Sequence, residues 1–497
     1  MKCVRIWPTG ELAWVEPVSG GVPGGADLVR KVQAQPGGEP SGWILPKWID
    51  NHCHILPSGL FLQMVNLRSA STPDEVLASI ADRARVTERG QWVRAAYYDQ
   101  TKFEDGKHLT RHQLDAVSAE HPILIRHVNG HASVANTLAL QLAGVDASTP
   151  DPKGGAFDRD SSGDLTGLLL ETAHEWVSAK VPNPDRQTMK EAILAAIDQM
   201  RLDTLCGATD MQTGRYQLED ELWAYEQAAR EANFPIRLFV QWSCVFGPKG
   251  IGPAALLERS RDLDPRYLRI AGIKIFADGA IGSRTAAIYG QYEGSTGTED
   301  EGQLIYSPEK LNEMVRTVDE AGFSVAIHTI GDRGTDLVMD ALAQTADPTR
   351  HRIEHAMMLS DAQIERMAAL GTHVTMQPEF LLQFGHSYRR NLGPDRASQL
   401  FRFQSVLQAG LRLSLSSDRP IVEGHPLDAY LGATQRPEIF DPRESLTPEQ
   451  AILGLTTYAH WADGEPPETQ ESNHSQTQFQ LFASLPARFE KILEPIP

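Results

Sequence analysis

The clearest sign of the architecture is Gly322-Phe323-Ser324-Val325-Ala326-Ile327-His328, where a glycine ends a helix and an apolar strand runs into a histidine. Before it, residues 307–309 supply a capping serine, a first-turn proline and an acid, and apolar residues follow at helical spacing. The same order of helix, glycine and strand recurs over 360–376 and 403–418. This repetition is typical of a parallel β/α architecture.

Polar side chains stand where these strands end. His328 and Asp418 come last in their strands, and His355 can end a short strand in the same way. In a closed β/α barrel, this end of the strands is where chemistry collects. A doubly wound sheet would need a glycine-rich phosphate turn after an early strand, and the sequence contains none. The pattern therefore favours a barrel.

The bulk composition excludes several classes of partner. The chain has 497 residues and a formal net charge of −19, which argues against a nucleic-acid or anionic-membrane surface. Its four cysteines form no CxxC pair, and no stretch approaches the roughly 20 apolar residues of a membrane span. A soluble cytoplasmic protein that acts on a small molecule is expected.

The first half of the chain predicts mixed elements. Thr72 caps a helix, and residues 122–128 form a buried strand followed by a helix from about Ser133 to Leu142. Residues 145–182 are predicted to form a long insertion between the regular elements. A helix then runs from Pro184 to near residue 207.

Two features outside the repeats suggest a metal site. His52 and His54 are spaced i, i+2 on an extended segment and so face the same side, either as paired metal ligands or as ordinary loop histidines. Lys274 lies in an apolar strand, where burial favours loss of its proton. A neutral amine can take up carbon dioxide and become a carbamate with two oxygens.

Taken in their order along the chain, these residues and their neighbours form motifs that resemble those of the amidohydrolase superfamily. The resemblance is to the YtcJ-like branch of metal-dependent hydrolases, which includes N-substituted formamide deformylases. The motifs that carry the resemblance are Ile49-Asp50-Asn51-His52-Cys53-His54, Gly130-His131, Thr166-Gly167-Leu168-Leu169-Leu170-Glu171, Lys274-Ile275-Phe276-Ala277-Asp278-Gly279, Gly282-Ser283-Arg284-Thr285-Ala286, Ile327-His328-Thr329-Ile330-Gly331-Asp332-Arg333, Arg352-Ile353-Glu354-His355-Ala356, Gln377-Pro378 and Ser417-Asp418.

The resemblance implies a fold and its boundaries. It implies a distorted (β/α)8 TIM barrel over residues 47–462, with a long insertion. A small β-subdomain would be built from both chain ends, residues 1–46 and an abbreviated 463–497. The tail departs from the family pattern, which puts that subdomain's usual contribution to pocket closure in doubt. A homodimer is the default expectation for such an enzyme.

The resemblance also implies a ligand set for one or two divalent ions, Zn²⁺ foremost. The implied ligands are His52, His54, Lys274, His328, His355 and Asp418, with Lys274 carbamylated between two ions. A metal-bound hydroxide would cleave a C–N bond of an amide, formamide or similar small molecule while Asp418 shuttles the proton. Two alternatives stay open, a one-metal deaminase-type reaction and a non-catalytic scaffold.

Three further residues are candidates for binding the substrate. His131, Arg284 and Arg333 lie in the family-like motifs. For His131 the alternative is an ordinary loop histidine. The two arginines could orient a substrate carboxylate or oxyanion, or could form salt bridges to nearby acids such as Asp278 or Asp332.

Overall fold

The computed structural model describes residues 2–5, 12–17, 30–33, 40–46, 48–128, 132–295, 300–462 and 479–482. The chain divides into two compact units. One comprises Met1–Leu56 with Ile193–Pro497, and the other is Pro57–Ala192. The helices Ile55–Leu62 and Arg186–Leu202 contain the two points where the chain passes from one unit to the other.

The first unit contains an eight-stranded parallel sheet whose strands follow chain order. Strands one to eight are Trp48–Cys53, Leu205–Thr213, Ile236–Gln241, Leu268–Phe276, Ser324–Thr329, Arg352–His355, His373–Met376 and Leu413–Leu415. Just past the sheet, the Asp418 amide donates to the His52 carbonyl and the His54 amide donates to the Arg419 carbonyl, both at 2.8 Å. These bonds join the first strand to the eighth, so the predicted (β/α)8 barrel is confirmed.

Helices follow the strands of this unit. They are Leu218–Ala232, Trp242–Phe246, Pro253–Asp262, Pro308–Glu320, Asp332–Leu342, Asp361–Leu370, Glu379–Ser398, Phe403–Gln408, Pro426–Thr434, Pro448–Leu455 and Thr457–Ala462. The helix Pro308–Glu320 begins as predicted, since the Ser307 side chain accepts a hydrogen bond from the Lys310 amide. Gly322 follows it in the left-handed region, at φ +84°.

Buried side chains from several barrel strands pack against one another. Met211, Phe239 and Ala326 form one buried cluster there. Gly272 faces Phe239, and an added Cβ at that glycine would stand 2.6 Å from the aromatic ring. These contacts are those of a packed core, and in this fold chemistry collects at the carboxyl ends of the strands.

A small antiparallel sheet combines both chain ends, as the resemblance implied. Its strands are Lys2–Arg5, Leu12–Pro17, Arg30–Gln33, Pro40–Pro46 and Phe479–Phe482. The strand Phe479–Phe482 pairs with Pro40–Pro46. The carboxyl-terminal segment thus contributes one strand to a sheet begun by the amino-terminal segment.

The second unit has its own six-stranded mixed sheet. In spatial order the strands are Gly155–Arg159, Leu165–Glu171, Ala132–Ala135, Ile123–His127, Val93–Tyr98 and Val65–Asn66. Its helices are Pro73–Val86, Arg111–Val117, Thr137–Leu142 and Thr172–Ser178.

Two boundaries predicted from the sequence are wrong. Ser133 lies in a strand rather than a helix, because the following helix begins only after Asn136, whose side chain accepts from the Ala139 amide. The helix from Pro184 does not reach residue 207, which lies within the second barrel strand. The helix capped by Thr72 is confirmed, as Pro73–Val86. Within the described residues, no helix is long and apolar enough to span a membrane.

Candidate metal centre

The six predicted ligands all belong to the first unit and lie at or near the carboxyl ends of barrel strands. The residues are His52 on strand one, His54 just beyond it, Lys274 on strand four, His328 on strand five, His355 ending strand six, and Asp418 beyond strand eight. Hydrogen bonding between neighbouring strands therefore brings residues more than 300 positions apart in sequence to one end of the barrel.

His52 and His54 meet at Asp418. The His54 Nε2 atom lies 2.9 Å from Asp418 Oδ1, and the His52 Nε2 atom lies 3.5 Å from the same oxygen. Burial alone would raise the pKa of Asp418, but His52 and the hydrogen bond from His54 outweigh it and hold the pKa below its ordinary value. Asp418 is therefore a carboxylate near neutral pH.

His355 and His328 continue the cluster. The centroids of the His52 and His355 rings are 4.8 Å apart, and those of the His328 and His355 rings are 4.5 Å apart. The His328 Nε2 atom is 3.0 Å from the Gly279 carbonyl oxygen and so donates to it, which leaves Nδ1 as the nitrogen available to a ligand.

Burial keeps these imidazoles uncharged. It lowers the pKa of His355 to about 3, with His52 adding to the effect. It also lowers the pKa of His52 well below its ordinary value, with Lys274 as the next cause. The pKa of His328 falls likewise through burial and then through His355. A neutral imidazole is the form that binds a metal ion.

Lys274 is the most unusual member of the group. Its side chain is 2% exposed, and its Nζ atom has no hydrogen-bond partner among the described residues. Burial lowers its pKa to about 8, against the opposing effect of Glu354 and Asp418. An amine buried without a partner is unfavourable in isolation, which points to a ligand or a modification that completes it.

The donor set fits a divalent ion. One potential ligand atom from each of His52, His355 and Asp418 lies within 4.8 Å of the others, and all three residues are buried. Neutral imidazole and carboxylate are ligands that Zn²⁺ and similar ions accept. The Lys274 amine, whose charge acts on His52 and His355, offers a further donor position near them.

Three residues that were not predicted support the histidines. The His52 Nδ1 atom lies 2.5 Å from Glu354 Oε2, and the His355 Nδ1 atom lies 2.7 Å from Gln377 Oε1. Arg352 donates through Nε to Glu354 Oε1 at 2.7 Å. A signal existed in the sequence, because Arg352 and Glu354 are oppositely charged residues at i, i+2 in a short strand that ends in a predicted ligand.

Backbone strain is concentrated at the same place. His355 and Asp418 have φ angles of 72° and 61°, in the left-handed region that residues other than glycine rarely adopt. The Asp418 amide is held by the His52 carbonyl, and the next residue after His355, Ala356, donates to the Thr329 carbonyl at 2.9 Å. Such conformations persist where surrounding contacts enforce them, and they cluster at functional sites.

The three predicted substrate-binding residues are not brought together with the ligands by any contact in the described residues. His131 lies outside those residues. Arg284 pairs with Asp300 at 3.1 Å, and Arg333 donates to the carbonyls of Glu301 and Gly302 at 3.1 and 3.2 Å. Both arginines therefore hold the segment near residue 300, and a role in substrate binding stays a prediction.

Asp210, within the carboxyl-terminal half of the second strand, has a structural role. Its Oδ2 atom accepts from the Ile55 amide at 2.8 Å and from the Tyr225 hydroxyl at 2.6 Å. Because Ile55 directly follows His54, these bonds fix the end of the segment that carries both histidines.

The sequence profile of the amidohydrolase family matches residues 43–468. The chain belongs to the amidohydrolase family. This membership supports a hydrolase, and the cluster of His52, His355 and Asp418 supports a divalent metal ion at the barrel end. The matched span includes all six predicted ligands.

Several known proteins are similar over most of their length. YtcJ of Bacillus subtilis (strain 168) is 30% identical over 394 residues, covering 78% of this chain and 72% of YtcJ. An N-substituted formamide deformylase of Arthrobacter pascens is 28% identical over 437 residues, covering 85% of this chain and 79% of the deformylase. A crystal structure of an uncharacterized metal-dependent hydrolase from Pyrococcus furiosus matches with a TM-score of 0.71 at 23% identity, covering 89% and 87% of the two chains, and supports the fold.

Proposed function

We propose that this amidohydrolase cleaves a carbon–nitrogen bond of a small molecule, an amide or formamide, with divalent ions, Zn²⁺ foremost, held at the barrel end. The observation that carries the proposal is the convergence of ligand atoms of His52, His355 and Asp418 within 4.8 Å of one another. The Lys274 amine, which has no hydrogen-bond partner among the described residues, is near enough for its charge to act on both histidines. The similarity to an N-substituted formamide deformylase favours a formamide or a related amide.

The donor chemistry of the side chains supports the following roles. His52, His54, His328, His355 and Asp418 would hold the ions, and a carbamylated Lys274 would supply further oxygen ligands. Bound there, an ion supplies Lewis acidity that makes water reactive near neutral pH and polarises a carbonyl.

Asp418 is the residue we assign to proton transfer. Its carboxylate, held by His54 at 2.9 Å, accepts a proton from the attacking water and passes it to the nitrogen of the leaving amine. The carbonyl carbon gains an oxygen as the C–N bond breaks, so the products are a carboxylic acid and an amine. Because the pKa of Asp418 is lowered, its carboxyl group is already ionised at neutral pH and can act as the base.

The test combines metal analysis with activity against a panel of amides and formamides. Asp418→Asn is expected to retain most of its metal and to lose turnover, while Asp262→Asn, at an exposed helix end, leaves both unchanged. Wild-type protein that binds no ion and stays inert after Zn²⁺, Mn²⁺ or Fe²⁺ is supplied with bicarbonate would refute the proposal. Unimpaired turnover by Asp418→Asn would remove that residue from proton transfer.

A second candidate is a one-metal deaminase-type reaction. It is favoured by one observation: among the described residues, the potential ligand atoms that lie within 4.8 Å of one another belong to His52, His355 and Asp418, a group sufficient for one ion that does not include His328. One bound ion per chain and release of ammonia would support the deaminase. Two ions per chain, or an amine product that carries the substrate's substituent, would support the amide hydrolase.

A further inference from the structure

A buried carboxylate stands directly behind one histidine of the metal centre. Glu354 Oε2 lies 2.5 Å from His52 Nδ1, and the two side chains are 0% and 1% exposed. A carboxylate can only accept, so the Nδ1 atom of His52 must carry the proton. The lone pair of a neutral His52 is then on Nε2, the nitrogen that lies 3.5 Å from Asp418.

Arg352 fixes the position of this carboxylate. It donates to Glu354 through Nε at 2.7 Å and through Nη2 at 3.3 Å. The same Nη2 atom donates to the carbonyl of Asn51 at 2.9 Å and to the Thr375 hydroxyl at 3.0 Å. Arg352 thus ties the sixth strand to the residue that precedes His52 and to the seventh strand.

The corresponding support of His355 is neutral. Its Nδ1 atom pairs with Gln377 Oε1 at 2.7 Å, and the Gln377 amide donates to the Ser416 hydroxyl at 3.0 Å. Both histidines therefore present Nε2 to the centre of the site. Among the described residues, only His52 of these two histidines has a negatively charged hydrogen-bond partner at Nδ1, so the two imidazoles are not equivalent as ligands.

We propose that Glu354, held by Arg352, is a positioning residue that orients His52 and makes it the stronger of the two imidazole ligands. A ligating imidazole becomes more positive as it shares its lone pair, and a carboxylate on its far side stabilises that charge more than a carboxamide does. The inference rests on the proposed function, because it requires a metal ion at this centre.

The experiment measures Co²⁺ binding by competition with a chromophoric chelator, in bicarbonate buffer, for full-length wild type and Glu354→Gln. The glutamine keeps the shape and one acceptor oxygen but removes the charge. Removing such a partner of a metal-bound histidine lowers metal affinity about 10- to 100-fold, and this is the expected loss. The visible absorption bands of bound Co²⁺ should shift as well, which a purely structural role would not produce.

Two further variants keep the test decisive. Glu320→Gln, which removes an equal charge from an exposed helix position, should bind Co²⁺ like wild type. Arg352→Gln/Glu354→Gln removes both buried charges together, and it covers the case in which Arg352, left without its carboxylate, prevents folding of the single variant. Circular dichroism identifies the variants that are folded.

The outcomes separate the inference from the proposed function. Weaker binding and a shifted spectrum in a folded variant support the inference. A folded variant with wild-type affinity and spectrum overturns it while leaving the proposed function intact. Wild-type protein that does not bind Co²⁺ overturns both.

Discussion

Replacing Lys274 by methionine should stabilise the metal-free protein and weaken its metal binding. Methionine has nearly the shape of lysine but no amine to desolvate. Burial lowers the Lys274 pKa from 10.5 to about 8, and at roughly 1.4 kcal/mol per pKa unit this corresponds to about 3 kcal/mol of stability lost near neutral pH. Lys274→Met should recover a large part of that amount.

The effect has a defined pH dependence. Between the folded pKa of about 8 and the unfolded value of 10.5, the unfolded chain binds more protons at Lys274 than the folded chain does. The stability of metal-free wild type therefore rises with pH through this window. The advantage of Lys274→Met should shrink over the same window, because the wild-type penalty disappears there.

Urea unfolding of chelator-treated protein in bicarbonate-free buffer measures both quantities, since the midpoint reports stability when the slope is unchanged. Lys310→Met, at a partly exposed lysine paired with Glu313, is the matched control and should shift stability by no more than about 0.5 kcal/mol. A Lys274→Met protein that is less stable than wild type, or that binds Zn²⁺ with wild-type affinity, would contradict the reasoning.

Two other predictions concern residues around the centre. Burial lowers the pKa of His373 to about 3, so the unfolded chain binds a proton at His373 as pH falls below 6.5, whereas the folded chain does not. Between pH 7 and pH 5.5, the free energy of unfolding of wild type should therefore fall by about 1 kcal/mol more than that of His373→Gln. Urea unfolding at both pH values measures this difference. Gly331→Ala would place a Cβ 1.9 Å from the Ala287 carbonyl oxygen. The resulting backbone shift near His328 should lower both the midpoint of thermal unfolding and the metal affinity. The control Gly282→Ala, whose added Cβ meets no atom within 4 Å, should alter neither quantity.

Much of the barrel was predictable because the second half of the sequence contains clear local signals for where helices and strands begin and end. Capping serines mark the starts of the helices before strands five and seven. Apolar spacing and a glycine at or just after the end mark these two helices and the helix before strand eight, and each strand then follows. For the first half of the chain, the sheet to which each strand belongs could not be predicted, for a physical reason. Residues 123–127 have the composition of a buried barrel strand, but they pair within the separate six-stranded sheet, and composition does not specify the partner of a strand.

The supports of the metal centre could not be predicted with the same rules. Alternation along a strand places Glu354 and His355 on opposite faces. Both nevertheless contact His52, since His355 adopts φ 72° and turns its ring to the same side. A left-handed residue other than glycine leaves no mark in the sequence, so the pairing of Glu354 with His52 becomes visible only in three dimensions.

The junction between the first and last barrel strands determines when, during synthesis of the chain, the proposed centre can assemble. The amide of Asp418 donates a hydrogen bond to the His52 carbonyl, so the residue that completes the ring of strands is also one of the proposed ligands. A ribosome-bound chain that ends before residue 418 has four of the five proposed imidazole and carboxylate ligands but an open sheet edge beside them. Completion of the proposed centre therefore follows emergence of the eighth strand, and the backbone hydrogen bonds that complete it also pair the open sheet edge.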